Sequence, residues 1–245
     1  MLSNTFSEPT KSRVQNQMQP PFKASDHAND RRAHVLLAAS GSVATIKIPN
    51  ILGALAHHEN LSIILLLTKS ASAFLRGQSH EQPELPLSSP NLFATFHDED
   101  EWNIPWVRGN PILHIELRRW ADIMVIAPLS ANTLAKITGG FSDNILTSVV
   151  RAWDTTGLVE AKSVNERKRK RIVVAPAMNT AMWRHPVTRK QIRILEDEWG
   201  LGKSEEGWFE VLGPKEKELA CGDVGDGAMK EWTDIVTTIE ERLGL

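Results

Sequence analysis

The chain has 245 residues, of which 41% are hydrophobic, and it carries a formal net charge of −2. It is long enough to bury a sizeable core in one domain, and its near-neutral charge lacks the basic face that a nucleic-acid partner requires. One cysteine excludes an intrachain disulfide, and no run reaches the roughly 18 apolar residues of a membrane span, so we expect a soluble, cytoplasmic protein without a membrane partner.

Residues 1–31 are rich in Ser, Gln, Asn, Pro and charged residues and show no apolar periodicity. Such a segment buries too little apolar surface to offset the entropy of ordering. We therefore predict a disordered tail over 1–31 and a single folded domain over 32–245.

Four short apolar runs span 33–39, 61–68, 122–127 and 171–175, and each precedes a segment that can be helical. Continuous apolar strands alternating with helices are typical of a parallel sheet that is covered on both sides. The pattern predicts an α/β fold, a doubly wound parallel sheet with helices on both faces, flavodoxin-like or Rossmann-like. In such folds, ligands bind outside the carboxyl ends of the strands.

Two segments fit this alternation less well. Residues 76–110 hold Pro, Ser, acidic residues and two tryptophans without a sustained period, which predicts a long surface connection. The basic run 167–171 is compatible with a nuclear import signal, but its position just before a strand favours a solvated loop.

Hydroxyl and amide side chains follow three of the predicted strands, in 40–42, 68–70 and 130–136. Helix N-termini with such groups bind phosphate, although the same residues are also ordinary helix caps. Three such turns at one sheet edge favour a mononucleotide site. The sequence has no Gly-x-Gly-x-x-Gly run, which counts against a standard dinucleotide site.

Three further segments carry candidate functional groups: 111–122 with His114, 175–183 with Asn179, and 219–229 with Cys221. The last is rich in glycine, which predicts a mobile flap carrying a thiol instead of a helix or strand interior. The alternative is an incidental cysteine, since free cysteine is commonly a small buried hydrophobe.

Together, in this order, the three segments resemble the flavin-containing cysteine decarboxylase family, which includes the phosphopantothenoylcysteine decarboxylases and the related halotolerance flavoproteins. The resemblance runs from about Arg32 to the C-terminal helix. It implies FMN as the cofactor, no metal, and a trimer with active sites between subunits. The residues it maps onto FMN contacts are Gly41, Ser42, Val43, Thr68, Ser70, Ala131, Asn132, Thr133, Leu134 and Met178.

The activity implied by the resemblance is decarboxylation of 4′-phosphopantothenoylcysteine to 4′-phosphopantetheine in coenzyme A biosynthesis. Flavin oxidation of the cysteinyl thiol would provide the electron sink for loss of CO2, and the resulting enethiolate would then be protonated and reduced. His114 would serve as the base, and Cys221 as the acid. Asn179 and Arg119 would hold the substrate amide and carboxylate, and Met182 would line the pocket.

Each of these roles has a structural alternative. His114 could pack at a helix start, Asn179 could cap a helix, Arg119 could form a surface ion pair, and Met182 could belong to the core. The helical stretch 145–153 could be a core helix or part of a trimer interface.

Because His114, Asn179 and Cys221 all occur in this chain, the sequence favours a homotrimer with complete active sites. Two other functions stay open at this point. Relatives in the family include inhibitory subunits of a protein phosphatase, which lack part of the catalytic set, and decarboxylases that act on a peptidyl cysteine.

Overall fold

The computed structural model describes residues 21–76, 89–103, 105–159, 169–202, 206–218 and 224–245. Residues 1–20 of the predicted tail and the candidate acid Cys221 therefore lie outside the described residues. Among the described helices, none is long and apolar enough to cross a membrane.

A six-stranded parallel sheet forms the centre of the fold, in the order β3-β2-β1-β4-β5-β6. The predicted doubly wound parallel sheet is thus confirmed. The order proceeds outward in both directions from the β1/β4 pair, which makes this pair the point where the winding reverses. The strands are β1 Ala33–Ala39, β2 Leu61–Leu67, β3 Leu92–His97, β4 Ile123–Leu129, β5 Arg171–Pro176 and β6 Phe209–Val211.

Helices cover both faces of the sheet, and each face has its own apolar core. Alternate residues of β1 point to opposite cores: Val35 and Leu37 belong to one, Leu36 and Ala38 to the other. The first face is covered by α1 Ile48–Leu55, α2 Lys69–Arg76 and α8 Trp232–Leu243. The second is covered by α3 Leu113–Trp120, α4 Ala131–Gly139, α5 Ile145–Arg151 and α7 Pro186–Arg193, and a short helix, α6 Thr180–Arg184, precedes α7.

Four strands, β3, β6, β7 and β8, were missed by the sequence analysis. The segment predicted as a long connection contains β3, an edge strand whose residues are only partly buried, so it lacks a continuous apolar run. The short strand β6 gives no periodic signal. The glycine-rich stretch predicted as a loop contains β8 Val224–Ala228, which pairs antiparallel with β7 Lys215–Glu218.

The folded domain begins before the predicted boundary at Arg32. Residues 24–27 form a 3-10 helix, and the ring of Phe22 lies 6.3 Å from that of Trp120 between centroids. The Ala24 N–H also donates to Glu116 Oε2 at 2.8 Å. Residues 21–31 are therefore part of the domain, and their disorder was wrongly predicted because the contacts of one aromatic side chain, Phe22, leave no periodic pattern in the sequence.

The described end of the predicted basic loop is anchored instead of freely solvated. Lys170 Nζ donates to the carbonyl oxygens of Arg118 at 3.2 Å and Arg119 at 2.8 Å, which are at the end of α3. Arg169 forms an ion pair with Glu206 at 3.2 Å. A lysine at this position satisfies carbonyl groups that have no partner within the helix.

Candidate active site

A buried serine, Ser40, joins the loop after β1 to the loop after β4, at the point where the winding of the sheet reverses. Ser40 Oγ donates to the carbonyl of Pro128 at 3.0 Å and accepts from the Ser130 N–H at 2.8 Å. Ser40 is fully buried, so both bonds are shielded from water. The loops after β1 and β4 are thereby held side by side, and the residues that follow Ser40 and Ser130 face one crevice.

Hydroxyl groups cap the helices that start at this edge. Ser42 Oγ accepts from Ala44 N at 3.4 Å, and Ser130 Oγ accepts from Thr133 N at 3.3 Å. Thr68 Oγ1 accepts from the N–H of Ala71 at 3.3 Å. Capping, the alternative offered by the sequence, is therefore present at all three turns, and it brings positively polarised helix N-termini to one edge of the sheet.

Gly41 allows the turns after β1 and β2 to approach each other closely. A Cβ atom at Gly41 would lie 2.6 Å from Ser70 Cβ, closer than real Cβ contacts. Any larger residue would push the two turns apart. The structure thus brings Ser70 against Gly41, as expected of two neighbouring cofactor turns.

A cavity of about 440 Å³ opens beside these turns, a size typical of ligand sites. The predicted cofactor residues that line it are Gly41, Ser42, Val43, Ala131, Asn132 and Met178. The other predicted contacts do not line it: Thr68, Thr133 and Leu134 are buried in the fold, and Ser70 lies against Gly41.

The cavity combines the features that a flavin mononucleotide needs. Asn132 and the N-terminal turns offer donors for phosphate and ribityl oxygens, and apolar side chains supply surface for a planar ring system. Phe74 and Trp232 are two such side chains, contributed by α2 and α8. The sequence analysis missed both because neither lies beside a recognised turn or motif.

The strand β8 forms one wall of the cavity. The Gly227 carbonyl accepts from Met178 N at 2.9 Å, and a Cβ at Gly227 would lie 2.1 Å from the Met178 carbonyl oxygen. Ala228 and Met229 then line the cavity. In the sequence, Cys221 falls between β7 and β8, outside the described residues, and β8 ends at the cavity.

An exposed ion pair connects β8 to α6. Arg184 Nε and Nη2 donate to the two carboxylate oxygens of Asp226 at 2.9 and 3.0 Å. The hydrogen bond from Arg184 holds the pKa of Asp226 below its usual value. This fork geometry fixes the direction of β8 relative to the helix that carries Met182.

Two predicted substrate-binding residues lie in the same cavity. Asn179 lines it and also caps α6, with Oδ1 accepting from the Ala181 N–H at 2.8 Å. Met182 lines the cavity with 49% of its surface exposed, which is incompatible with a core methionine. The structure therefore brings Asn179 and Met182 together with the predicted cofactor residues.

His114 and Arg119 do not line this cavity. Both belong to α3, which packs on the second face of the sheet, and the cavity wall is formed by α2 and α8 of the first face and the start of α4 on the second. Arg119 Nη1 donates to Glu116 Oε1 at 2.9 Å, the ion pair offered as its alternative. Its role toward substrate stays a prediction. The ring of His114 contacts Glu101, a residue that the sequence analysis did not single out.

The strand order and the polar turns at the winding reversal define a mononucleotide-binding α/β protein. A family model described as Flavoprotein matches residues 23–244. The chain belongs to this family, and the resemblance seen in the three motifs is confirmed.

Named relatives and solved structures agree with this assignment. A relative from Arabidopsis thaliana named "Probable phosphopantothenoylcysteine decarboxylase" is 43% identical over 210 residues, which cover 85% of this chain and 88% of the relative. A solved PPC decarboxylase mutant complexed with pantothenoylaminoethenethiol is 41% identical with a TM-score of 0.69, covering 88% of this chain and all of the other. The FMN-binding protein AtHal3 is also 41% identical, with a TM-score of 0.66 and coverage of 87% and 98%.

Proposed function

We propose that the chain is an FMN-dependent decarboxylase that converts 4′-phosphopantothenoylcysteine to 4′-phosphopantetheine. The observation that carries the proposal is one cavity that combines mononucleotide turns, Asn179 and Met182, and the strand that follows Cys221. Relatives named for this activity and a neighbour complexed with pantothenoylaminoethenethiol support the substrate class.

When bound, FMN supplies the oxidant that takes two electrons from the cysteinyl carbon and returns them after CO2 has left. His114 takes the thiol proton at its imidazole, the side chain that most often serves as a general base. Asn179 presents an amide to the substrate's amide and carboxylate, at the start of α6. Cys221 donates the proton that the decarboxylated product requires.

The proposal includes a homotrimer in which each site combines residues of two copies. In one chain, His114 is not among the residues that line the cavity. The segment before His114 exposes four large apolar side chains, which favours contact with another copy. These side chains are Trp102, Trp106, Val107 and Ile112.

This support for a trimer differs from the reason given by the sequence. The helix expected at the interface, α5, buries Ile145, Leu146 and Val149 in the core of its own chain. This burial supports the core alternative for the helix, so the proposed subunit contact is argued from the exposed apolar residues before α3.

The direct test is to purify the chain, record its flavin spectrum and molecular mass, and supply 4′-phosphopantothenoylcysteine while following CO2 and 4′-phosphopantetheine. We expect a yellow trimer that forms both products. A cysteine-ended peptide and a protein phosphatase, assayed in parallel, test the two other functions. A flavin-loaded trimer that leaves 4′-phosphopantothenoylcysteine unchanged would contradict the proposal.

Single-turnover assays of two variants test the assignment of roles. His114→Asn should retain FMN and release little CO2, because the first proton transfer fails. Cys221→Ser should release about one CO2 per flavin and then stall, because a serine hydroxyl is a far weaker acid than a thiol. Equal CO2 release by the two variants would reject the roles assigned here.

A further inference from the structure

A buried carboxylate lies against the candidate base. Glu101 ends the acidic 3-10 turn over 98–101 that follows β3, and only 4% of its side chain is exposed. Its Oε1 accepts from the backbone N–H of His114 at 3.4 Å and also forms a hydrogen bond with Nδ1 of the His114 ring. A carboxylate this deeply buried needs such partners, since an unpaired buried charge is costly.

The start of α3 explains why this carboxylate is held in place. The residue before the helix, Ile112, is apolar and offers no side-chain acceptor to the first N–H groups of α3. Glu101 supplies an acceptor from a separate turn and puts a negative charge at the positive end of the helix. The helix thus fixes the carboxylate, and the carboxylate in turn fixes the ring.

The bond to Nδ1 determines which ring nitrogen carries the proton. An ionised carboxylate is only an acceptor, so Nδ1 must be the donor, and the lone pair of the neutral ring is then on Nε2. When Nε2 takes a proton from a substrate thiol, the imidazolium keeps its Nδ1–H bond to Glu101. The proton moves from sulfur to Nε2, and the positive charge that forms lies beside a carboxylate.

We propose that Glu101 is a positioning residue that fixes the Nδ1–H tautomer of His114, presents Nε2 as the base, and stabilises the imidazolium. The consequence for catalysis rests on the proposed function, but the tautomer does not. A capping role alone would stabilise α3 without selecting a tautomer. The tautomer of His114 therefore distinguishes a positioning role from a capping role.

The test uses the FMN-loaded full chain with ¹⁵N-labelled histidine. NMR of the ring nitrogens distinguishes a protonated from an unprotonated Nδ1, and the His114 signals are identified by their loss in His114→Asn. We expect Nδ1–H in the wild type. In Glu101→Gln we expect a mixture of tautomers, because an amide can donate to the ring as well as accept from it.

Single-turnover CO2 release gives a second readout. General acid–base catalysis contributes about 10²–10⁴-fold, and Glu101→Gln leaves His114 present, so a loss of roughly 10- to 100-fold is expected with KM little changed. Asp100→Asn is the matched control: Asp100 belongs to the same turn, and its carboxylate accepts from the N–H of His97 at 2.6 Å. This control should keep both the tautomer and the rate within about twofold of the wild type.

Two results would overturn the positioning role: an unprotonated Nδ1 in wild-type His114, or a Glu101→Gln variant with unchanged tautomer and unchanged rate. The first is measured on the wild type, so it decides the matter even where the variant fails to fold. Absence of CO2 release from the wild type would contradict the proposed function instead, and the tautomer alone would then decide the positioning role.

Discussion

Replacing Gly227 by alanine tests the contact that holds β8 against the cavity. The new Cβ would lie 2.1 Å from the Met178 carbonyl oxygen, so the two segments must separate by about 1.3 Å to reach the 3.4 Å of an ordinary contact. Such a shift would break the 2.9 Å hydrogen bond from Met178 N to the Gly227 carbonyl. Both the hairpin and the loop before Asn179 would move.

The expected cost follows from two contributions. Overpacking costs about 1–3 kcal/mol, and the lost hydrogen bond adds about 0.5–1.5 kcal/mol, so Gly227→Ala should destabilise the fold by about 2–4 kcal/mol. For a domain of this size, this lowers the melting temperature by roughly 5–15 °C. Because Ala228 and Met229 line the cavity, flavin content should fall as well.

Gly213→Ala is the matched control, since it lies just before β7 and a Cβ there meets nothing within 4 Å. We expect its stability to stay within about 0.5 kcal/mol of the wild type. The assays are thermal unfolding of the flavin-loaded protein and the ratio of flavin to protein absorbance. A Gly227→Ala variant with wild-type melting temperature and flavin content would refute the close approach of β8 to Met178.

Three further variants test other parts of the structure. Gly41→Ala should lower flavin content more than it lowers stability, because the new Cβ would push Ser70 away and separate the turns after β1 and β2. The ratio of flavin to protein absorbance measures the flavin content. Burial raises the pKa of Asp98 above its usual 3.8, so its contribution to stability is complete below pH 3.8 and is lost as the pH rises through the raised pKa. Asp98→Asn keeps an acceptor for the Ile145 N–H and should gain stability relative to the wild type as the pH rises from about 4 to 8, seen as a higher urea midpoint. Phe22→Ala should cost about 1–2 kcal/mol in urea unfolding, less than a fully buried phenylalanine, and no loss would restore the predicted boundary at Arg32.

The sequence predicted the elements with strong local signals and missed those without them. β1, β2, β4 and β5 are buried on both faces, so each is a continuous apolar run. The edge strand β3 is only half-buried, and no run of that kind marks it. Strand β8 was predicted as a mobile flap because its glycines indicated a flexible backbone. In the structure, Gly227 instead allows close backbone contact with Met178.

The candidate site was predictable to the extent that its residues lie in short motifs. Asn179 and Met182 follow β5 directly, so a motif that ends that strand places both at the cavity. Glu101 and His114 are thirteen residues apart. Their contact joins the turn over 98–101, which the sequence analysis did not recognise, to α3. It depends on how the chain folds between the two residues, so neither periodicity nor motif spacing predicts it.

The placement of His114 follows from topology once β3 is known. Crossovers between parallel strands are right-handed, so α1 and α2, which connect β1 to β2 and β2 to β3, must lie on the same face of the sheet. The chain then returns from β3 to β4 in the opposite direction, and the same handedness puts α3 on the other face. Without β3, no pattern in the sequence separates His114 from the turns after β1 and β2. With β3 in place, the candidate base lies on the face opposite to α2 and α8, and it does not line the cavity, although α4 of its own face does. In the proposed homotrimer, the exposed apolar residues before α3 would form the contact that brings this base to the cavity of a neighbouring copy.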